Sequence, residues 1–291
     1  MTAAEGRDRD ARAPAAPAGS GRARGTTFDT APAHWRAALA DLAAAAGREV
    51  LSVYAGAVTV RCKDDRTPVT DADLRSQEVL RAGLAAWTPG VPLVAEEGDP
   101  APPSARRGGL FWCVDPLDGT RDFVARTGEF SVNVALVADG RPVVGLVHVP
   151  VAGLTYAGAP GHGAWRRRGG GPWRAIRTAP PRGRRLRVLV SRQHADAATH
   201  AWLASLAPAW EVERLHRGSA WKACSIAEGR AHVYPRFGPT HLWDTAAAEA
   251  VVEAAGGVLR RAGGAEPLRY DGPDTRNPAF YVAWGPDAPH P

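Results

Sequence analysis

The sequence has too few cysteines for a disulfide framework and no apolar stretch long enough to cross a membrane. Its three cysteines, Cys62, Cys113 and Cys224, are odd in number and widely spaced, the pattern of reduced thiols in a cytoplasmic chain. No CxxC pair or Cys/His cluster is present, which excludes the common zinc sites. No run of about 18 uncharged apolar residues occurs, so no membrane span is expected. The opening stretch MTAAEGRDRDARAPAAPAGSGRARG lacks the apolar h-region of a secretory signal. Its alanine, proline, glycine and mixed charge predict a disordered arm over residues 1–30.

Within 291 residues, 45% are hydrophobic and 23% charged, enough to bury a large core in one big domain or two packed halves. The net charge of +6 is concentrated in one place. Arg166 to Arg187, RRRGGGPWRAIRTAPPRGRRLR, holds nine arginines and no acid, so the remainder of the chain sums to −3. A solvated loop is the simplest reading of such a run. Anion steering is the alternative, and without an interleaved aromatic pattern no nucleic-acid partner is expected.

Periodicity predicts a helix from about Ala31 through LSVY, with Trp35, Leu39, Leu42 and Val50 on one face. A second helix starts at Thr70 or Asp71 and carries Leu74, Val79, Leu80 and Leu84. VPLVAEE, GLFWCVDP, FSVNVALVADG and RPVVGLVHVP read as strands, the last two joined in a hairpin at Asp139-Gly140. After the arginine-rich excursion come a strand (LRVLVS), a helix (ADAATHAWLASLA) and a helix leading into a strand (GSAWKACSIAEGRAHVYP). A helix stopped by two glycines (WDTAAAEAVVEAAGG) and a last strand (AFYVAWG) finish the chain. The pattern predicts layered sheets and helices: an α+β half over 31–185 and an α/β half over 186–291.

Acids cluster at the boundaries of these elements: Asp71 and Asp73, Glu96 and Glu97, Asp115 and Asp118, and Asp244. Singly each is an ordinary cap or solvated acid, Asp244 being a plain N-cap by position. Together they suit a hard divalent cation, which takes carboxylate and carbonyl oxygens. In DPLDGT the proline fixes a bend that can turn Asp115 and Asp118 towards one point, with the Leu117 carbonyl between them. Gly119 and Thr120 then open a helix whose free N–H groups suit a phosphate. Two metals about 4 Å apart would stabilise both the attacking and the leaving oxygen of an in-line displacement. His148, His216 and His241 pair with no nucleophilic serine, and His241 reads first as a surface-loop histidine. Trp112, Trp221 and Trp243 read first as packing, with base stacking as the minor alternative.

The ordered set VAEEG, DPLDGT and WDTAA resembles the signatures of the inositol monophosphatase superfamily of magnesium-dependent, lithium-sensitive phosphatases. KDDRTPVTDADL, GEFSVNVALVADGRPVVGLVHVP, LVSRQHAD, GSAWKACSIAEGRAHVYPRFGPTHLWDTAA and RNPAFYV resemble its 3′(2′),5′-bisphosphate nucleotidase branch, of the bacterial sulfate-assimilation type. The likeness runs from about Trp35 to Trp284. It implies an αβαβα layered fold, two to three Mg2+ ions, and hydrolysis of the 3′-phosphate of adenosine 3′,5′-bisphosphate to AMP and phosphate. It also implies that Glu96, Asp115 and the Leu117 carbonyl ligate a first metal, and Asp115, Asp118 and Asp244 a second. A third, weaker ion would lean on Glu96. Thr120 and Asp73 match the pair that orients and deprotonates the attacking water, and Glu97 stands behind the ligands. Gly119 and Thr120 fall at the phosphate, while Gly218, Ser219 and Lys222 match a substrate-contacting GS-x-x-K stretch, Lys222 meeting the non-reacting phosphate away from the acids.

The chain departs from the branch at Ala95, where serine is usual, at Arg121-Asp122 for Lys-Glu, at Leu242 for a polar residue and at Ala248 for glycine. No presumed ligand is lost, but Leu242 bears on substrate preference. A sugar or polyol phosphate monoesterase of the same superfamily is the enzymatic alternative. A non-catalytic anion- or RNA-binding protein is the remote one. The partner implied is a small-molecule nucleotide, with no membrane; a homodimer is left open.

Overall fold

The structure, a computed structural model, describes residues 30–62, 68–98, 103–107, 109–191 and 196–291. The expected N-terminal arm, apart from Thr30, lies outside the described residues, as do 63–67 and 192–195 of two of the motifs.

Helix α1 (Pro32–Tyr54) opens on a proline, whose fixed φ and absent N–H suit a first helical position. It buries Trp35, Leu39, Ala43, Ala46 and Val50 completely. Each large apolar group there contributes about 1.5–3 kcal/mol. Strands β1 (Val60–Cys62) and β2 (Pro68–Thr70) form a small antiparallel pair. They lead into α2 (Asp71–Trp87), which starts at N-cap Thr70 with a capping box closed by Asp73.

A seven-stranded sheet follows, in the order β3-β4-β5-β6-β7-β8-β9. Its strands are β3 (Leu93–Ala95), β4 (Leu110–Asp118), β5 (Ser131–Ala138), β6 (Arg141–Val149), β7 (Leu154–Ala159), β8 (Gly163–Arg168) and β9 (Arg174–Ile176). Short helices α3 (Pro103–Arg106) and α4 (Thr120–Val124) flank β4. At the β5–β6 hairpin Asp139 and Gly140 both take positive φ, 50° and 72°, as a tight hairpin turn requires. The second sheet runs β11-β10-β12-β14-β13. It comprises β10 (Arg185–Val190), β11 (Glu211–His216), β12 (Val233–Arg236), β13 (Val258–Arg261) and β14 (Phe280–Ala283), with helices α5 (Ala197–Leu206), α6 (Trp221–Ala227) and α7 (Leu242–Ala254).

Alternation along the strands sorts the molecule into layers. Trp112 and Val114 of β4 face α1 and α2, whereas Phe111 and Cys113 face α6 and α7. Leu186 and Val188 of β10 pack on α5 on the far side of the second sheet. The order is therefore helices, sheet, helices, sheet, helix: the αβαβα sandwich expected. Helix α7 sits close because Gly145 and Gly158 lie beneath it. A Cβ at Gly158 would stand 2.7 Å from the Val251 Cα, and one at Gly145 would collide with the Ala247 carbonyl. No helix among the described residues is long and apolar enough to cross a membrane.

The Arg166–Arg187 segment is not the long loop expected. It forms the end of β8, all of β9 and the start of β10, extending the first sheet and entering the second. Its arginines fit strands because they find partners. Arg166 pairs with buried Glu228 at 2.6 Å and Arg167 with Asp41 at 3.0 Å. Arg36 packs over Trp165 and Trp173, at 4.6 and 5.1 Å, in the cation–π arrangement. Strands β7, β11 and β13 also lie outside the runs singled out in the sequence.

Candidate active site

The site is built where β3 and β4 end. These strands pair in parallel with Ala95 opposite Val114, so Glu96 emerges beside Asp115. The β4–β5 register then breaks between Asp115 and Asp118, and this bulge re-aims both carboxylates. Ser76 Oγ of α2 holds the bend by donating to the Pro116 carbonyl at 2.7 Å. The Leu117 amide donates to Asp115 Oδ1 at 3.0 Å. Asp118 Oδ2 accepts from Asn133 Nδ2 at 3.1 Å, Ser131 Oγ at 3.4 Å and the Ala220 amide at 2.5 Å. Asp244 arrives from the other sheet at the third position of α7, not at the N-cap assigned from sequence. His241 is the N-cap, and Asp244 Oδ2 accepts its amide at 2.7 Å.

Oxygens of Asp115, Asp118 and Asp244 lie within 4.8 Å of one another. Two bare charges at that distance repel by about 3 kcal/mol at an effective dielectric of about 20. Burial first, then Glu96, Asp118 and Asp244, push the Asp115 carboxyl well above the usual range. Burial also raises Asp118, against the pull of Lys222. Asp244 is pushed up to about 8 by burial and by Asp118. Asp115 Oδ2 is buried with no hydrogen-bond partner. Crowded carboxylates with an orphaned buried oxygen are the donor set of a hard divalent cation. Glu96 stands outside this tight trio, but its charge acts on both Asp115 and Asp244. Leu117 is fully buried, and its carbonyl accepts the Thr120 hydroxyl at 3.3 Å.

Thr120 Oγ1 also lies 3.5 Å from Asp73 Oδ1. The other oxygen of Asp73 accepts from the Thr70 amide at 2.8 Å and the Thr70 hydroxyl at 2.7 Å. Burial, with a smaller contribution from Glu97, pushes the Asp73 carboxyl up to about 6, where a carboxylate can take up a proton near neutral pH. Glu97 is buried behind the site, its backbone gripped by the Gln77 side chain at 2.6 and 3.1 Å. Gly119 caps α4 in the left-handed region, φ 94°, which only glycine adopts without strain.

These residues open on a cavity of about 480 Å³, lined among others by Glu96, Asp118, Thr120, Ser219, Lys222 and Asp244. The 218–220 stretch wraps over Asp118. Ser219 reaches the cavity, whereas Gly218 does not line it and packs against Glu129, whose carboxylate accepts its amide at 2.9 Å. Lys222 is not remote from the acids as expected: it is buried, lies 5.2 Å from the Tyr234 ring centroid and acts on Asp118. Arg217, Arg236 and Arg276 also line the cavity. Arg236 Nε is buried without a partner.

Two further expectations change. His241 is not a surface-loop histidine; it lies on the cavity wall, stacked on Trp243 at 5.0 Å and 5°. Leu242 is buried in the core, beside His241 and Trp243 of the cavity wall. Trp112 and Trp221 do pack, their indole N–H groups donating to Thr88 and Tyr156.

The start of α7 is clamped by the segment before β14. Asn277 Nδ2 donates to the His241 carbonyl at 2.6 Å and to the Thr245 hydroxyl at 3.1 Å, and the Leu242 amide donates to Thr275 O at 2.9 Å. Asn133 is missed from sequence, where its one signal is a lone amide in an apolar strand. No local signal marks Ser76, Ser131 or Gln77, whose partners are up to 40 residues away.

Comparison with known proteins agrees with this geometry. The inositol monophosphatase family model matches residues 32–284. The 3′(2′),5′-bisphosphate nucleotidase CysQ of Escherichia coli K12 is 41% identical over 246 residues, covering 83% of this chain and 96% of that protein. CysQ of Haemophilus influenzae is 32% identical, over 81% of this chain and 87% of that one. Among solved structures, CysQ from Bacteroides thetaiotaomicron superposes with a TM-score of 0.76 at 37% identity, covering 87% of this chain and 99% of that one. The chain belongs to the inositol monophosphatase family, in its bisphosphate nucleotidase branch.

Proposed function

We propose that the protein hydrolyses the 3′-phosphate of adenosine 3′,5′-bisphosphate, giving AMP and inorganic phosphate, with Mg2+ as its cofactor. The observation that carries this reading is the crowded carboxylate trio, in which Asp118 and Asp244 border a cavity walled by cations and Asp115, buried behind them, keeps one oxygen without a partner. Asp115, Asp118, Asp244, Glu96 and the Leu117 carbonyl would hold two to three ions. When bound, Mg2+ supplies charge neutralisation at the phosphoryl oxygens and an acidified water. The Thr120 hydroxyl, hydrogen-bonded towards Asp73, orients the attacking water and passes its proton to that carboxylate. One P–O bond forms to the water oxygen as the bond to the ribose oxygen breaks, and the departing 3′-oxygen takes a proton from solvent to leave as a hydroxyl. Gly119 and Ser219 border the reacting phosphate. The second phosphate needs cations beyond the metals, and Lys222 and Arg236 on the cavity wall provide them.

A polyol monoester needs no such cations, so the substrate panel decides between the two. Phosphate release is measured with Mg2+ from adenosine 3′,5′-bisphosphate, inositol 1-phosphate and fructose 1,6-bisphosphate. A specificity constant highest for the nucleotide supports the proposal; one higher for inositol 1-phosphate overturns it. The buried free thiols Cys113 and Cys224 suit a reducing compartment such as the cytoplasm.

A further inference from the structure

The arginine-rich segment ends in a second cavity, of about 720 Å³, that has no part in the site above. It lies at the opposite end of β10 from Ser191, which borders the active-site cavity. Six residues of strand separate the two ends by roughly 20 Å. Arg182, Arg185 and Arg187 line it with His232, and Glu213 is the one acid in the lining. Arg182, Arg185 and Glu213 are exposed, whereas His232 is only 3% exposed.

The geometry of His232 singles this cleft out from an ordinary basic surface. Its Nδ1 accepts the Arg187 backbone amide at 2.9 Å. Burial and the Arg187 charge hold the ring far down, at about 4, so it is neutral at physiological pH. A neutral imidazole that accepts at Nδ1 carries its proton on Nε2. That Nε2 stands 3.3 Å from an Arg187 guanidinium nitrogen, which is also a donor and gives another hydrogen to the Gly229 carbonyl at 3.0 Å. Two donors therefore meet at the cleft with no acceptor between them, and a buried donor left unsatisfied costs about 1–3 kcal/mol. An oxyanion oxygen bridging both N–H groups removes that cost, and a tetrahedral anion has further oxygens to offer Arg182 and Arg185.

We propose that this cleft binds a tetrahedral oxyanion, the sulfate or phosphate group of a small solute, between His232 and Arg187, with Arg182 and Arg185 closing on it. The proposal stands apart from the reaction assigned to the acidic site. It accounts for the arginines that the strands of the segment leave exposed at its downstream end.

The test follows the His232 ring by NMR in histidine-labelled protein, stripped of divalent metal with EDTA and assigned through bonds to the backbone. Sodium sulfate and sodium phosphate are titrated against sodium chloride at matched ionic strength, and AMP serves as the organic phosphate. Sulfate and phosphate are expected to shift the ring signal saturably, and chloride is not. In Arg182→Gln/Arg185→Gln protein the affinity should fall roughly tenfold, the loss of about one charge-assisted hydrogen bond. The same shift in Asp118→Asn protein separates the cleft from the active site. Tighter binding of AMP than of the free ions assigns the ligand to an organic phosphate, and weaker binding assigns it to the inorganic ion. A ring signal that does not move, that moves equally in chloride, or that ignores the double substitution overturns the proposal.

Discussion

Stripping divalent metal is expected to make stability fall steeply with pH, and restoring it to cancel much of that fall. The Asp244 carboxyl, ordinarily at 3.8, is pushed to about 8 in the metal-free fold. A carboxyl raised in this way keeps its proton in the folded state while the unfolded chain has released it. Stability is therefore lost as pH rises through the interval between the two values and levels off above about 8. From about pH 6 to about pH 8 one proton's difference amounts to about 3 kcal/mol. At about 2–4 °C per kcal/mol, the melting temperature should drop by roughly 5–10 °C. Asp115 and Asp118 are raised in the same direction and steepen the fall. Glu249, pushed to about 8 by burial in α7, adds a fall of the same sign that no cation at the cluster relieves. The informative quantity is thus the gain in melting temperature from Mg2+ over EDTA, measured by thermal unfolding at both pH values. It should be larger at about pH 8, and Asp244→Asn should shrink that increase. An equal gain at both pH values would refute the electrostatic reasoning.

Other substitutions probe individual parts of the site. Thr120→Ala should cut turnover by on the order of 10²-fold through lost proton relay, with metal affinity by calorimetry unchanged. Asn277→Ala should loosen the start of α7 and weaken metal binding roughly tenfold, the worth of about one hydrogen bond. The same change in an Asp244→Asn background should add nothing further. Lys222→Ala should lower the specificity constant for adenosine 3′,5′-bisphosphate by about ten- to a hundredfold and leave inositol 1-phosphate nearly untouched. Equal losses would assign Lys222 to the reacting centre beside Asp118 and remove it from the second phosphate. Gly145→Ala should destabilise the fold by about 1–3 kcal/mol, read by urea denaturation, because its methyl meets the α7 backbone.

The parts of this molecule legible in the sequence are those whose signals are local. The β5–β6 hairpin is written in Asp139-Gly140, and the start of α2 in Thr70 with Asp73 three residues on. Layered sheets and helices follow from strand alternation and helix periodicity, whereas the αβαβα order comes only from the resemblance carried by VAEEG, DPLDGT and WDTAA. The Arg166–Arg187 segment misleads because its strands are stabilised by distant partners, Glu228, Asp41 and Arg36, which no window of composition contains. His241 and Leu242 are misplaced for a related reason. Which of two adjacent residues faces the cavity depends on how the Thr275–Asn277 clamp sets the first turn of α7. The acids themselves are conspicuous in the sequence, but the groups that aim them, Ser76, Ser131 and Asn133, are uncharged and sit on other elements.

On the function proposed, the acidic site removes the 3′-phosphate from a nucleoside bisphosphate with the help of a divalent cation. Incubation of EDTA-stripped protein with adenosine 3′,5′-bisphosphate, before and after adding Mg2+, followed by chromatographic identification of the nucleotide product, tests it most directly. Adenosine 5′-monophosphate and one equivalent of phosphate are expected, formed only after Mg2+ is added. Adenosine 3′-monophosphate as the product, equal turnover without metal, or an intact substrate would contradict it.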